Sequence, residues 1–219
     1  MSYTIKNWVD KMPPSLVSVK CPYAMNPIGI TVHNTANSAP AVNEAKYMLS
    51  NNQEVSFHVA IDNKDAIELI PFNRNAWHAG DGSGDGNRRT IGIEICYSTG
   101  DLDIFLEAEE NAAEYIAYVL HDYGWGIDRV YKHQDWSGKY CPHKTLDLGW
   151  QRFINMVQAN YNEIANATTQ NPEPVVEDWQ DKAIQEVCER KGLDINHWKP
   201  KKNNPATIGD LFGILNKIK

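Results

Sequence analysis

The sequence contains 219 residues, of which 42% are hydrophobic and 10% aromatic, a composition that supports a packed core and argues against extensive disorder. Its net charge is −7 and no basic patch is visible, so we expect no binding to nucleic acid. No apolar run approaches the roughly 18 residues of a membrane-spanning helix, and the first residues lack the apolar segment of a secretory signal. We therefore expect no membrane insertion, and synthesis in the cytoplasm without a signal peptide.

The first part of the chain alternates between strand-like and helix-like segments. Runs rich in β-branched residues predict strands, and apolar residues at i, i+3, i+4 and i+7 predict helices. Strands are expected at residues 29–33, 55–62, 66–71, 91–97 and 129–131. Helices are expected at residues 39–49, 107–121 and 150–164. Because strands and helices alternate, we expect an α/β fold in which helices flank a mixed central β-sheet.

A segment with linker composition separates this region from a short tail. Residues 166–178 contain two prolines and show no periodicity. We therefore assign residues 1–165 to one domain and residues 179–219 to a small, mainly helical C-terminal domain. A tail of roughly 40 residues is small for independent folding. A repeat, a partner chain or the first domain could complete its core, so an oligomer formed through this tail is one alternative.

One polar stretch near the end of the first domain carries reactive side chains. Residues 133–143 contain an imidazole at His133, an amine at Lys139 and a thiol at Cys141. Zinc prefers thiolate and imidazole ligands, and a loop after a short strand can fold back so that both reach one ion. His33, at the end of a predicted strand, is the best candidate for a third ligand. The spacing alone is equally consistent with the alternative that His133 is a surface histidine and Cys141 a buried structural cysteine.

Glu94 lies within a strongly predicted strand, between Ile93 and Ile95. A carboxylate that faced an apolar core would be costly to bury, so either that face of the strand is open to solvent or the carboxylate has a function. A glutamate beside a zinc ion is the general base that metal-assisted hydrolysis needs. The alternative is an ordinary surface residue of a strand.

Five segments carry a resemblance to a known family, in order across about residues 20–145. They are ITVHNT at 30–35, NNQEVSFH at 51–58, RNAWHAG at 74–80, IEICYS at 93–98 and HQDWSGKYCPH at 133–143. With these segments the sequence resembles the zinc amidases of the N-acetylmuramoyl-L-alanine amidase family, and especially the phage and prophage endolysins of Gram-positive hosts. Five ordered segments make this resemblance far more specific than one short motif.

The resemblance implies a role for each of five residues. His33, His133 and Cys141 match the three zinc ligands of the family. Glu94 matches its catalytic acid/base, and Lys139 matches the position whose positive charge stabilises the reacting carbonyl. The implied cofactor is therefore Zn²⁺, held by three protein ligands that leave a fourth position open.

The implied reaction is hydrolysis of the amide bond between N-acetylmuramic acid and L-alanine in peptidoglycan. Two alternatives remain open at this point. A zinc peptidase that cuts within the stem peptide would use the same groups. A peptidoglycan-binding protein without catalysis would typically lack the cysteine ligand, which is present here as Cys141.

Other aromatic and imidazole side chains within the matching segments could line a substrate cleft. The candidates are His58, Trp77, His78 and Trp136. A structural histidine or an aromatic core residue is an equally plausible interpretation of each. His143 could support the metal site without binding the ion itself.

Residues 179–219 follow the predicted catalytic domain and a linker, and this position resembles that of the cell-wall-binding modules of endolysins. The resemblance implies that this tail binds wall carbohydrate and concentrates the enzyme on its substrate. It also implies that the protein acts on the bacterial cell wall after its release from the host cytoplasm.

Overall fold

The computed structural model describes residues 3–170 of the chain. Most of the predicted linker and all of the predicted C-terminal domain, residues 179–219, lie outside the described residues, and these assignments stay predictions. Within the described region, no helix is both long enough and apolar enough to span a membrane.

Six strands form one mixed sheet at the centre of the described region. They are β1 (Thr4–Asn7), β2 (Gly29–Asn34), β3 (Val59–Ile61), β4 (Asp65–Glu68), β5 (Thr90–Ile95) and β6 (Val130–Lys132). Their order across the sheet is β1-β4-β3-β5-β2-β6. Every neighbouring pair is parallel except β3 and β4, which form an antiparallel hairpin. The predicted α/β fold with a mixed central sheet is confirmed.

Helices cover both faces of this sheet. They are α1 (Pro14–Lys20), α2 (Ala41–Leu49), α3 (Asp85–Arg89), α4 (Leu102–Asp122), α5 (His133–Ser137), α6 (His143–Leu148) and α7 (Trp150–Gln170). On one face, an apolar core joins the sheet to Ile116 of α4 and Phe153 of α7. On the other, a second core joins it to Ala45 and Met48 of α2. Since both faces are covered, the central strands are buried, and all six residues of β2 are buried.

Two helices are longer than the sequence pattern predicts. Helix α4 was expected from residue 107 but begins at Leu102, because the Asp101 carboxylate caps it by accepting hydrogen bonds from the backbone amides of Asp103 and Ile104. Helix α7 was expected to end at residue 164 but continues to Gln170. Residues 166–170, at the start of the predicted linker, are therefore helical.

The topology brings three of the predicted site residues to one edge of the sheet. β2 and β5 are parallel neighbours, and His33 of β2 pairs in register with Glu94 of β5. β6 lies on the other side of β2 and leads directly into α5, whose first residue is His133. The carboxyl ends of parallel strands meet at the same edge, which is where α/β proteins commonly bind their ligands.

Candidate metal centre

Three potential ligand atoms converge beyond the carboxyl end of β2. Nδ1 of His33 lies 2.9 Å from Nδ1 of His133 and 4.0 Å from Sγ of Cys141. All three ligand atoms lie within 4.8 Å of one another, and all three residues are buried. Two imidazoles and a thiol at this spacing can share one metal ion. The three residues that the sequence nominates as ligands are thus brought together, although about a hundred positions separate His33 from the other two.

Asn34 ties the strand that carries His33 to the segment that carries Cys141. Its side-chain Oδ1 accepts hydrogen bonds from the backbone amides of Lys144 and Thr145 in the first turn of α6. The amide of Gln134 donates to the carbonyl of Cys141, which fixes the same segment to α5. Sequence reasoning missed Asn34, although its position directly after a candidate ligand was a usable signal.

The Cys141 thiol is buried, and burial raises its pKa to about 11 in the metal-free protein. Backbone hydrogen bonds from Asn34 and His143, together with the charge of Lys139, act in the opposite direction and favour the thiolate. A thiolate is the form that binds a metal, so these donors prepare the sulfur for an ion that would replace its proton.

Both imidazoles are held in their neutral form. Burial lowers the pKa of His33 well below its ordinary value, and the neighbouring His78, His133 and Lys139 lower it further. Burial and Lys139 also lower the pKa of His133. At neutral pH each ring can therefore offer a lone pair to a metal without first losing a proton.

Glu94 lies beside this cluster, opposite His33 in the strand register. The residue is partly exposed, but its Oε2 atom is buried and has no hydrogen-bond partner among the described residues. Burial, followed by the negative charge of Glu44, raises the pKa of Glu94 to about 8, and the charge of Lys139 opposes that rise. A carboxyl group that exchanges its proton near neutral pH is suited to general acid/base chemistry.

Lys139 is exposed in the loop between α5 and Cys141. Its positive charge acts on the pKa of His33, His133, Cys141 and Glu94 together. The ammonium group, on the solvent side, therefore contributes to the electrostatic potential at the candidate ligands. This is a suitable position for a cation that stabilises developing negative charge on a substrate.

His78, one of the predicted cleft residues, lies directly behind a candidate ligand. Its Nδ1 is 2.9 Å from Nε2 of His33, and its own Nε2 is 3.2 Å from the Thr90 carbonyl oxygen. Only 8% of its surface is exposed. His78 thus contacts the candidate ligand His33 from the interior.

His58, also predicted for the cleft, is fully buried and bridges two parts of the fold. Its Nδ1 accepts a hydrogen bond from the Gly92 amide of β5, and its Nε2 donates to the Arg74 carbonyl. Both ring nitrogens are thus bonded to backbone and the side chain has no exposed surface, while its predicted place in a substrate cleft stays a prediction. Its position is that of a structural histidine.

The pKa of His58 predicts how the stability of the metal-free protein depends on pH. Burial lowers this pKa from 6.5 to about 4 in the folded state. Below pH 6.5 the unfolded chain therefore binds a proton that the folded protein cannot bind until about pH 4. We expect the free energy of unfolding to fall by up to about 1.4 kcal/mol per pH unit on account of His58 as the pH falls through this window. Urea unfolding at several pH values between 4.5 and 7 would measure the slope.

The matched variant for this measurement is His58→Gln, whose amide can hydrogen-bond but does not titrate. The variant should show a shallower loss of stability below pH 6.5 than the wild-type protein, while the two slopes agree above pH 7. Equal slopes at all pH values would assign the acid sensitivity to other groups.

The two tryptophans predicted for the cleft are both partly exposed, and each is fixed through its indole nitrogen. Nε1 of Trp77 donates to the Val19 carbonyl, and its ring meets that of Tyr23 edge-on. Nε1 of Trp136 donates to Oγ1 of Thr31. Neither belongs to the ligand cluster. Their contact with a substrate stays a prediction.

Comparison with known proteins places this site in a family. The family model for N-acetylmuramoyl-L-alanine amidase matches residues 23–144, which include His33, Glu94, His133, Lys139 and Cys141.

Curated relatives include two N-acetylmuramoyl-L-alanine amidases of Bacillus subtilis. CwlA is 48% identical over 166 residues, covering 75% of this chain and 60% of CwlA. XlyB is 50% identical over 147 residues, covering 66% of this chain and 46% of XlyB. The chain thus spans about half the length of these curated relatives.

Two solved structures are similar to this chain in sequence and in fold. The structure of PlyL is 51% identical with a TM-score of 0.67, and the match covers 72% of this chain and 97% of PlyL. The PlyG catalytic domain is 50% identical with a TM-score of 0.68, and the match covers 72% of this chain and 94% of that domain. The similarity therefore extends over nearly the whole of each solved chain.

Proposed function

Because the chain belongs to the N-acetylmuramoyl-L-alanine amidase family, we propose that it hydrolyses the amide bond between N-acetylmuramic acid and L-alanine of peptidoglycan, using one zinc ion held by His33, His133 and Cys141. The observation that carries the proposal is the convergence of these three ligand atoms within 4.8 Å, beside a carboxyl group with a raised pKa. The relatives named as amidases of this class support the choice of bond.

The donor set fits zinc better than other common metals. Two imidazoles and one thiolate are borderline or soft ligands, whereas magnesium and calcium prefer oxygen. Three protein ligands are also typical of catalytic rather than structural zinc sites, since a position is left for water or substrate. When bound, zinc supplies Lewis-acid chemistry, which polarises a carbonyl and activates water.

The remaining steps fall to residues of the chain itself. Glu94 would take a proton from the attacking water and return it to the amine of L-alanine as that group leaves. Lys139 would stabilise the negative charge that develops on the carbonyl oxygen. The burial of Glu94 Oε2, without a partner among the described residues, leaves that oxygen free for this exchange.

The biological setting of the proposal is that of an endolysin. The protein would be made in the host cytoplasm and would act on the cell wall after release. Residues 179–219 would bind wall carbohydrate, so that the enzyme reaches a high local concentration at its substrate. Oligomerisation through the same residues would provide additional contacts with the wall.

Mass spectrometry of fragments released from purified peptidoglycan tests the proposal. An amidase leaves a free lactyl carboxylate on the sugar and a new amino terminus on L-alanine, and a chelator should stop the reaction until zinc is restored. Fragments cut between amino acids of the stem would instead identify a peptidase. Binding to the wall without any released fragment would identify a non-catalytic recognition protein.

A further inference from the structure

The second nitrogen of the candidate ligand His33 contacts His78, which lies in a short segment beside the cluster. We call residues 78–79 the support segment. Nε2 of His33, the nitrogen that faces away from the ligand cluster, lies 2.9 Å from Nδ1 of His78 in this segment.

The Thr90 carbonyl oxygen can only accept a hydrogen bond, and this determines which ring nitrogens of His78 and His33 carry protons. Nε2 of His78 is 3.2 Å from that oxygen and must carry the proton of this bond. His78 is buried, which favours the neutral ring, so its Nδ1 is then unprotonated and accepts a hydrogen bond from Nε2 of His33. His33 is buried as well, and a neutral ring that donates through Nε2 keeps a lone pair on Nδ1, the atom that faces the cluster.

His133 faces the same cluster. Its Nδ1 lies 2.9 Å from Nδ1 of His33, and its Nε2 lies 3.5 Å from the point where a Cβ atom at Gly80 would lie. His33 therefore presents Nδ1 to the cluster, because its Nε2 is occupied by His78 on the opposite side.

Two neighbours hold the support segment in place. Oδ1 of Asn87 accepts hydrogen bonds from the backbone amides of both His78 and Ala79, each at 2.7 Å. Gly92 of β5 provides the space for the His78 ring, because a Cβ atom at position 92 would lie 2.6 Å from the ring atom Cδ2. The ring is thus confined by the strand beside it and by its own backbone.

We propose that His78, in the support segment, is a positioning residue that fixes the tautomer of His33 and commits it to bind the metal through Nδ1. This inference rests on the proposed zinc site. Ligand histidines in metalloproteins generally donate their other N–H to a fixed acceptor, and loss of that acceptor typically costs 10–100-fold in metal affinity. Here the acceptor of His33 is another histidine, whose own orientation is fixed by the Thr90 carbonyl.

The test compares four variants of the full chain by competition with a chromogenic chelator for zinc. His78→Ala removes the acceptor and should raise the dissociation constant for zinc by about 10–100-fold. His78→Asn places an amide oxygen where Nδ1 lies, so it should recover most of the affinity. Gly92→Ala retains the imidazole but displaces it, and should resemble His78→Ala. His121→Ala, which changes a histidine of α4 outside the site, should bind zinc like the wild-type protein.

Nitrogen-15 NMR of the metal-free protein provides a second readout that is independent of activity. The wild-type His33 ring should be protonated at Nε2 alone, and His78→Ala should give a mixture of both tautomers. If His78→Ala does not fold, Gly92→Ala answers the same question. Wild-type affinity together with an unchanged His33 tautomer in a folded variant that lacks or displaces the imidazole would overturn the inference. Failure of the wild-type protein itself to bind zinc would instead overturn the proposed site, and the inference with it.

Discussion

Replacing Cys141 with serine is expected to abolish both zinc binding and peptidoglycan hydrolysis while the fold is retained. The serine hydroxyl has nearly the volume of the thiol and can accept the same backbone hydrogen bonds from Asn34 and His143. It does not ionise near neutral pH, however, and two imidazoles alone are a weak zinc site. Zinc content should fall from about one ion per chain to near zero, and the loss of bound metal should lower the melting temperature.

Elemental analysis of the purified protein and loss of wall turbidity measure the two effects. Cys21→Ser is the matched control, because Cys21 is equally buried but contacts Met12 rather than the ligand cluster. The control should retain full zinc content and lysis. Hydrolysis by Cys141→Ser at the wild-type rate would remove Cys141 from the ligand set.

The sheet was largely predictable, because its central strands are buried on both faces. Strand β5 consists almost entirely of apolar and β-branched residues, and the predicted range of 91–97 differs from Thr90–Ile95 by one residue at the start and two at the end. Strand β1 was missed because it is a four-residue edge strand whose residues are mostly exposed, and such a segment has no apolar pattern. The start of α4 was missed because the cap at Asp101, rather than periodicity, determines it.

The candidate ligands were predictable for a chemical reason. Few residue types bind zinc, and strand ends in an α/β fold gather distant residues at one edge. The supporting contacts were not predictable in the same way. The bonds of His78 to His33 and of Asn87 to the support segment join residues through side-chain geometry, which leaves no periodic signal in the sequence. His58 and His78 each follow an aromatic residue, yet His78 contacts a candidate ligand whereas His58 bonds only to backbone.

Replacing Glu94 with glutamine is expected to lower the hydrolytic rate by roughly 10²- to 10⁴-fold while zinc binding is unchanged, because the variant keeps the shape of the side chain but cannot transfer a proton. The effect should appear in kcat rather than KM, since proton transfer belongs to the reaction and not to substrate binding. Glu107→Gln, which changes an exposed carboxylate bonded to Asn63, is the matched control and should be fully active.

The comparison of Glu94→Gln with Cys141→Ser separates proton transfer from metal binding, the two roles that the proposed site combines. The serine variant should lose metal and activity together, whereas the glutamine variant should lose activity with its metal in place. Glu94 lies opposite His33 in the strand register and is not part of the ligand cluster, so its replacement leaves the three candidate ligands in place. A Glu94→Gln protein that lost its zinc would show that the carboxylate acts through the metal site. A fully active one would assign the proton transfer to another group.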